Sequence, residues 1–85
     1  MKNQMYYSAD GFENYQLNYL QKALSKREIQ VLKLMSEGKS NPQIAKILKI
    51  SLNTVKAHTE KVYDKLDVGN RAQASVKGII LGIIE

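Results

Sequence analysis

The chain is 85 residues long, enough for one small domain, and it contains no cysteine, which excludes disulfides and thiolate metal sites. A formal net charge of +5 favours a polyanionic partner. No apolar run follows Lys2, and the longest apolar run, residues 79–84, is far shorter than the roughly 20 residues of a bilayer span, so we expect a cytoplasmic protein without signal peptide or membrane partner.

Residues 1–23 form an N-terminal arm whose composition differs from that of residues 24–85. The arm holds five of the six aromatic residues: Tyr6, Tyr7, Phe12, Tyr15 and Tyr19. A D-x-x-E pattern at residues 10–13 has the form of a capping box and predicts a short helix from about Gly11 to Lys22. We interpret the arm first as a segment packed on the domain. A self-association surface and a contact to a missing neighbour are the alternatives.

Two capping boxes predict two successive helices in the middle of the chain. Ser25 and Glu28 form an S-x-x-E box that opens a helix over residues 25–37, and Gly38 is placed to end it. Residues 40–43 read S-N-P-Q, an S-x-x-Q box with proline in the first turn, where its missing N–H costs nothing. A short second helix therefore extends to about Leu48.

Ser51 is a favourable N-cap and predicts a third helix over residues 52–66. Its inward positions recur at helical spacing: Val55, Thr59, Val62 and Leu66. Lysines 56, 61 and 65 flank the outer face. Only two or three residues separate the second and third helices, which predicts a helix-turn-helix.

After a loop over residues 67–71, Asn70 can cap a fourth helix. The apolar positions assigned to it are Ala74, Val76, Ile79, Ile80 and Ile83. No alternation of helices with strands and no internal repeat is present. The predicted fold is all-α, a four-helix domain over residues 24–85 that follows the arm.

The sequence offers no set of residues for catalysis, and we predict no enzyme, cofactor or metal site. It contains one histidine, no cysteine, no glycine-rich phosphate loop and no paired acids after a strand. His58 lies about 60° from the core stripe of its helix. We expect a half-buried ring that hydrogen-bonds backbone or phosphate.

The positive charge is concentrated in the helical unit. Residues 24–77 hold 11 of the 13 Lys and Arg residues and 5 of the 8 acidic residues. The predicted helix starts at Ser40 and Ser51 each offer backbone N–H groups suited to phosphate. A helix-turn-helix of this kind places its second helix in the major groove of DNA, so double-stranded DNA is the predicted partner.

The sequence resembles the LuxR/FixJ-type DNA-binding domain from residue 24 to about residue 80. The matching segments are Leu24-Ser25-Lys26-Arg27-Glu28, Val31-Leu32, Gly38-Lys39-Ser40-Asn41, Ile44-Ala45, Leu48, Ile50-Ser51, Thr54-Val55-Lys56, His58, Lys65-Leu66 and Arg71. The resemblance implies a helix-turn-helix transcription regulator with residues 51–66 as the recognition helix.

The resemblance also implies which residues face DNA: Ser40, Asn41, Asn53, Thr54, Lys56, Ala57, His58 and Lys61. Lys56 would donate to a base edge or phosphate, and Ala57 would touch a thymine methyl group. Thr54 and His58, and Ser40 with Asn41 on the preceding helix, would hold phosphates. For Thr54 and Ser40 the alternative is a capping role alone.

The fourth helix of this family is a common dimer surface, so a homodimer is implied. The interface residues would be Val76, Ile79, Ile80 and Ile83. A contact to RNA polymerase is a further implied partner. Arg71 is expected to be structural and to pair with Glu28 across the first and fourth helices.

Two features depart from the family pattern. Glu60 occupies an outer-face position where a basic or small polar residue is common, and a carboxylate there opposes phosphate but can accept from cytosine N4. The arm is also far too short to be the receiver or ligand-sensing domain that usually precedes this domain. Two alternatives remain: a sigma-factor region 4-like module, and a protein-interaction module that inhibits a related regulator.

Overall fold

The computed structural model describes residues 24–85, and the predicted four-helix architecture is confirmed there. The helices are α1 (Lys26–Ser36), α2 (Asn41–Leu48), α3 (Leu52–Leu66) and α4 (Arg71–Ile80). Within residues 24–85 no strand is present. The N-terminal arm and the helix predicted from about Gly11 to Lys22 lie outside the described residues.

The capping boxes predicted at Ser25 and Ser40 form at the starts of α1 and α2. Ser25 Oγ accepts from the Glu28 amide at 3.1 Å, and Glu28 Oε1 accepts from the Ser25 amide at 2.9 Å. Ser40 and Gln43 exchange the same two bonds, at 3.3 and 2.8 Å. Each box satisfies two backbone donors that the helix itself leaves without a partner, so both starts are determined by local sequence.

The remaining two helices begin at the predicted N-caps. Ser51 Oγ accepts from the Thr54 amide at 3.0 Å at the start of α3. Asn70 Oδ1 accepts from the Gln73 amide at 2.9 Å at the start of α4. Since an N-cap side chain replaces a hydrogen bond to water, each of these bonds contributes about 1 kcal/mol.

Left-handed residues end the first three helices and turn the chain sharply. Gly38 follows α1 with a φ of 86°, as predicted. Lys49 after α2 and Asp67 after α3 adopt φ values of 58° and 57° without being glycine. Three residues, 49–51, connect α2 to α3, which confirms the tight helix-turn-helix.

The core lies where α1, α3 and α4 meet and where α2 packs on α3. Its buried apolar residues are Leu24, Val31, Leu32, Met35, Ile44, Val55, Val62, Leu66, Ala74 and Ile84. Thr59 is also buried, and its hydroxyl donates to the Lys56 carbonyl oxygen at 2.8 Å. The inward side of α3 is therefore occupied by packing, which leaves its opposite side exposed.

Ile83 was expected on α4, but the helix ends before it. Gly82 adopts a φ of 76°, and the Ile83 amide donates to the Gly78 carbonyl oxygen at 2.9 Å. This turn directs Ile84 into the core, where it is 6% exposed, and leaves Ile83 half-buried. None of the helices in residues 24–85 has both the length and the apolar character needed to cross a membrane.

The expected pairing of Arg71 with Glu28 was wrong. Arg71 Nη2 donates to Asn41 Oδ1 at 3.0 Å, and its Nη1 donates to the Lys39 carbonyl oxygen. Glu28 instead accepts from Lys65 Nζ at 2.8 Å. The start of α4 lies beside the start of α2, whereas the start of α1 lies beside the end of α3.

Candidate nucleic-acid interface

The outer face of α3 is open along its length. Asn53, Thr54, Lys56, Ala57 and Lys61 are exposed there, whereas Val55 and Val62 on the opposite face are fully buried. His58 is half-buried at the border between the two faces, as its position in the helix indicated. The side chains assigned to DNA on α3 therefore share one accessible helix surface.

At the first turn of α3, the hydroxyl groups of Ser51 and Thr54 cap the helix and keep one hydroxyl proton that the cap does not use. Ser51 Oγ lies 2.8 Å from Thr54 Oγ1 and also accepts from the Thr54 amide. This contact is what the capping interpretation of Thr54 requires. Two hydroxyl groups carry two protons, however, and one bond between them uses only one. Capping and donation to an external acceptor are therefore compatible at this turn.

The first turn of α2 presents a second set of donors. Ser40 is exposed and Asn41 is half-buried. The Gln43 amide donates to Ser40 Oγ, the Ile44 amide donates to the Ser40 carbonyl oxygen, and Pro42 has no N–H. The Asn41 amide and the Ser40 hydroxyl proton therefore remain to serve an acceptor outside the helix.

Arg71 also contacts the start of α2, and the sequence did not predict this contact. Its guanidinium bridges the Lys39 carbonyl oxygen and the Asn41 side chain, on either side of the N-cap Ser40. Arg71 follows Asn41 by 30 positions in the chain. No spacing pattern connects residues that far apart, so the contact could be found only in three dimensions.

The lysines that flank α3 are not equivalent. Lys65 is engaged by the buried carboxylate of Glu28 at 2.8 Å. Lys56 and Lys61 are exposed and have no ion-pair partner within 4.0 Å in residues 24–85. These two lysines can therefore reach an external anion without first breaking an internal ion pair.

The carboxylate of Glu28 is held in its charged form. Burial alone would raise its pKa, but hydrogen bonds from Lys65 and the Ser25 amide, with attraction to Lys65 and Lys61, lower the pKa of Glu28 below its ordinary value. The residue links α1 to the end of α3. Glu28 helps to hold α3 in place but is not part of the exposed outer face of α3.

Two further surfaces are exposed, one acidic and one apolar. Glu60 and Asp64 are exposed on α3 and place negative charge beside the lysines. On α4, Val76, Ile79 and Ile80 are 56%, 51% and 67% exposed. Residues 24–85 contain no cluster of histidine and acidic side chains that could hold a metal ion.

Comparisons with known proteins identify the family to which the chain is similar. A family model described as bacterial regulatory proteins, luxR family, matches residues 22–77. The chain is 46% identical over 54 residues to the transcriptional regulatory protein LiaR of Bacillus subtilis (strain 168), covering 64% of this chain and 26% of that protein. It is 37% identical over 75 residues to the transcriptional regulatory protein DegU of Brevibacillus brevis, covering 88% of this chain and 32% of that protein.

A third relative is the glycerol metabolism activator of Pseudomonas putida, which is 47% identical over 55 residues. That match covers 65% of this chain and 25% of the activator. The chain thus spans between about a quarter and a third of the length of these curated relatives.

Proposed function

Because the chain belongs to the luxR family of bacterial regulatory proteins, we propose that it binds double-stranded DNA sequence-specifically and regulates transcription. Residues 22–77 are a LuxR-family DNA-binding domain. The observation that carries the finer proposal is the open outer face of α3, opposite the fully buried Val55 and Val62. In a helix-turn-helix that face enters the major groove, because the other face is needed for packing.

Each residue assigned to DNA has a role in the proposal. Lys56 donates to a base edge or phosphate, and Ala57 meets a thymine methyl group. Thr54 and His58 hold phosphates beside them, and Asn53 and Lys61 extend the contact along α3. At the neighbouring helix start Ser40 and Asn41 hold a further phosphate. The exposed positions of Lys56 and Lys61, neither paired within residues 24–85, support these assignments.

The proposal includes a homodimer formed through α4. Three apolar side chains, Val76, Ile79 and Ile80, are each more than half exposed on one short helix. A two-fold dimer would cover them and would match a two-fold related DNA site. Ile83 contributes less than the sequence indicated, since it is half-buried beyond the helix end.

A contact to RNA polymerase stays a prediction, as does the cytoplasmic location that DNA binding implies. The sigma-factor region 4 alternative would require binding to core polymerase. The protein-interaction alternative is favoured by one observation, the exposed carboxylates of Glu60 and Asp64 on the face proposed for DNA.

Gel retardation with a random-sequence duplex at low salt separates the two classes of function. A DNA-binding domain should retard the duplex and lose affinity as salt rises, with a log–log slope of about −0.9 per neutralised phosphate. Selection from a random duplex pool should then enrich one motif with two-fold symmetry. Absence of retardation even at low salt would exclude the proposal and favour the interaction module.

A further inference from the structure

One guanidinium joins three parts of the molecule that meet at the proposed phosphate contact. Arg71 is the first residue of α4, Lys39 lies in the loop after α1, and Asn41 is the first residue of α2. Arg71 is half-buried, so its orientation is restricted by its surroundings. The contact is a fork in which separate nitrogens serve separate acceptors, a geometry that lysine cannot reproduce.

The fork determines which way the Asn41 amide faces. A guanidinium has only donors, so Asn41 must present Oδ1 to Arg71, and the two are 3.0 Å apart. The Nδ2 group, with its two protons, is then directed away from Arg71. Without Arg71 the amide could present either its oxygen or its nitrogen outward, and an outward oxygen would repel a phosphate.

We propose that Arg71 is a positioning residue for DNA binding, because it holds Asn41 with Nδ2 directed to donate to a backbone phosphate. Two of the five N–H donors of Arg71 are committed to Asn41 and Lys39, and the proposal assigns Arg71 no phosphate contact of its own. This inference rests on the proposed function. It adds that the first residue of α4 acts on DNA affinity through another side chain.

The test uses the full chain and a random-sequence duplex of about three helical turns, roughly 30 base pairs. Phosphate contacts do not depend on sequence, so no operator is needed. The variants are Arg71→Lys, Asn41→Ala and the two combined, with Arg27→Lys as the control because Arg27 is also a half-buried arginine near a helix start. Thermal unfolding followed by circular dichroism establishes that each variant is folded at the binding temperature.

We expect Arg71→Lys and Asn41→Ala each to weaken binding by about two- to tenfold, the value of one hydrogen bond. The combined variant should bind the duplex with the affinity of the weaker-binding single variant, because both changes remove the same contact. The Asn41 side-chain amide resonances should shift on adding duplex to the unmodified chain and not to Arg71→Lys. The control should bind as the unmodified chain does.

Three results would overturn the inference. The first is an Arg71→Lys variant that binds like the unmodified chain, which would mean that positive charge alone suffices. The second is a combined variant in which the affinity losses of Arg71→Lys and Asn41→Ala multiply. A further variant, Arg71→Ala, tests direct contact: a salt slope shallower by about 0.9 than that of the unmodified chain would identify Arg71 as a phosphate contact. If the unmodified chain fails to retard the duplex, the proposed function itself fails. If it retards the duplex and the variants do so equally well, only the role of Arg71 is rejected.

Discussion

Lys65 at the end of α3 donates to Glu28 in α1 at 2.8 Å, and the Glu28 side chain is only 6% exposed. The same carboxylate oxygen accepts from the Ser25 amide at 2.9 Å. One buried oxygen therefore closes the cap of α1 and fixes the last turn of the proposed recognition helix. Because this oxygen accepts from both donors, the charge state of Glu28 affects the stability of the fold.

Stability should fall in acid by an amount that depends on Glu28. Its pKa is lowered in the folded state, so the stabilisation is fully present above the ordinary value of 4.5 and is lost as pH falls through the lowered pKa. Glu28→Gln should cost about 1 kcal/mol at neutral pH, a modest value because Lys65 is 34% exposed. Urea unfolding at a series of pH values measures the loss of stability in acid and the change in unfolding free energy caused by Glu28→Gln.

The matched control for this prediction is Glu37→Gln, which neutralises an exposed carboxylate at the end of the same helix. It should change the unfolding free energy by less than about 0.5 kcal/mol. If Glu28→Gln retained the acid sensitivity of the unmodified chain below about pH 5, another carboxylate would be responsible.

The helix starts were predictable because each depends on residues three positions apart. Ser25 with Glu28, and Ser40 with Gln43, carry their hydrogen-bond partners within one turn, so the pattern is visible in the sequence. The inward stripe of α3 follows from helical spacing for the same reason. The exposed face, and with it the accessibility of Lys56, then follows by exclusion.

Contacts between distant segments were not predictable in this way. Arg71 was assigned to Glu28, whereas its partners are the Lys39 carbonyl oxygen and Asn41 Oδ1. Carboxylate, amide and carbonyl oxygens are all suitable acceptors for a guanidinium, so residue type alone did not distinguish them. The direction of the chain after α4 was also missed. A Cβ added at Gly78 would lie 2.9 Å from Leu32 Cδ2 and 3.2 Å from Ile84 Cγ1, so Gly78 permits the returning chain to pack closely.

Lys56 should be the α3 side chain on which specific binding depends most. Lys56→Ala is expected to weaken binding to a selected motif by about 1–3 kcal/mol, through loss of a base-edge or phosphate donor. Lys33→Ala, an exposed lysine on α1, is the control and should change affinity only slightly. Gel retardation on the selected duplex measures both. An unchanged affinity for Lys56→Ala would show that α3 is not the recognition helix.

A charge placed on the exposed face of α4 should prevent self-association. Ile79 is 51% exposed on α4 and Ile47 is 49% exposed on α2, so the two isoleucines form a matched pair. Ile79→Lys should abolish the dimer, because a buried unpaired charge is costly, whereas Ile47→Lys should leave it intact. Sedimentation equilibrium measures whether each variant is a monomer or a dimer. A dimer that survives Ile79→Lys would have another interface.

Glu60 should reduce affinity for DNA in general while favouring particular sequences. Its carboxylate is exposed on the outer face of α3, one turn beyond Lys56, with no ion-pair partner within 4.0 Å in residues 24–85. Near a duplex it is repelled by phosphates and gains a contact only where a cytosine N4 group donates to it. Glu60→Gln should therefore bind a random-sequence duplex more tightly than the unmodified chain.

The same variant should lose a preference for cytosine at one position of the selected motif. Glutamine retains an acceptor oxygen but also carries a donor, so it accepts more than one base and discriminates less. Glu37→Gln, which removes an exposed carboxylate directly after α1, should change neither the motif nor the random-duplex affinity by as much. Selections from a random pool with the three proteins give the comparison. A motif that is identical for Glu60→Gln and the unmodified chain would place Glu60 outside the base contacts.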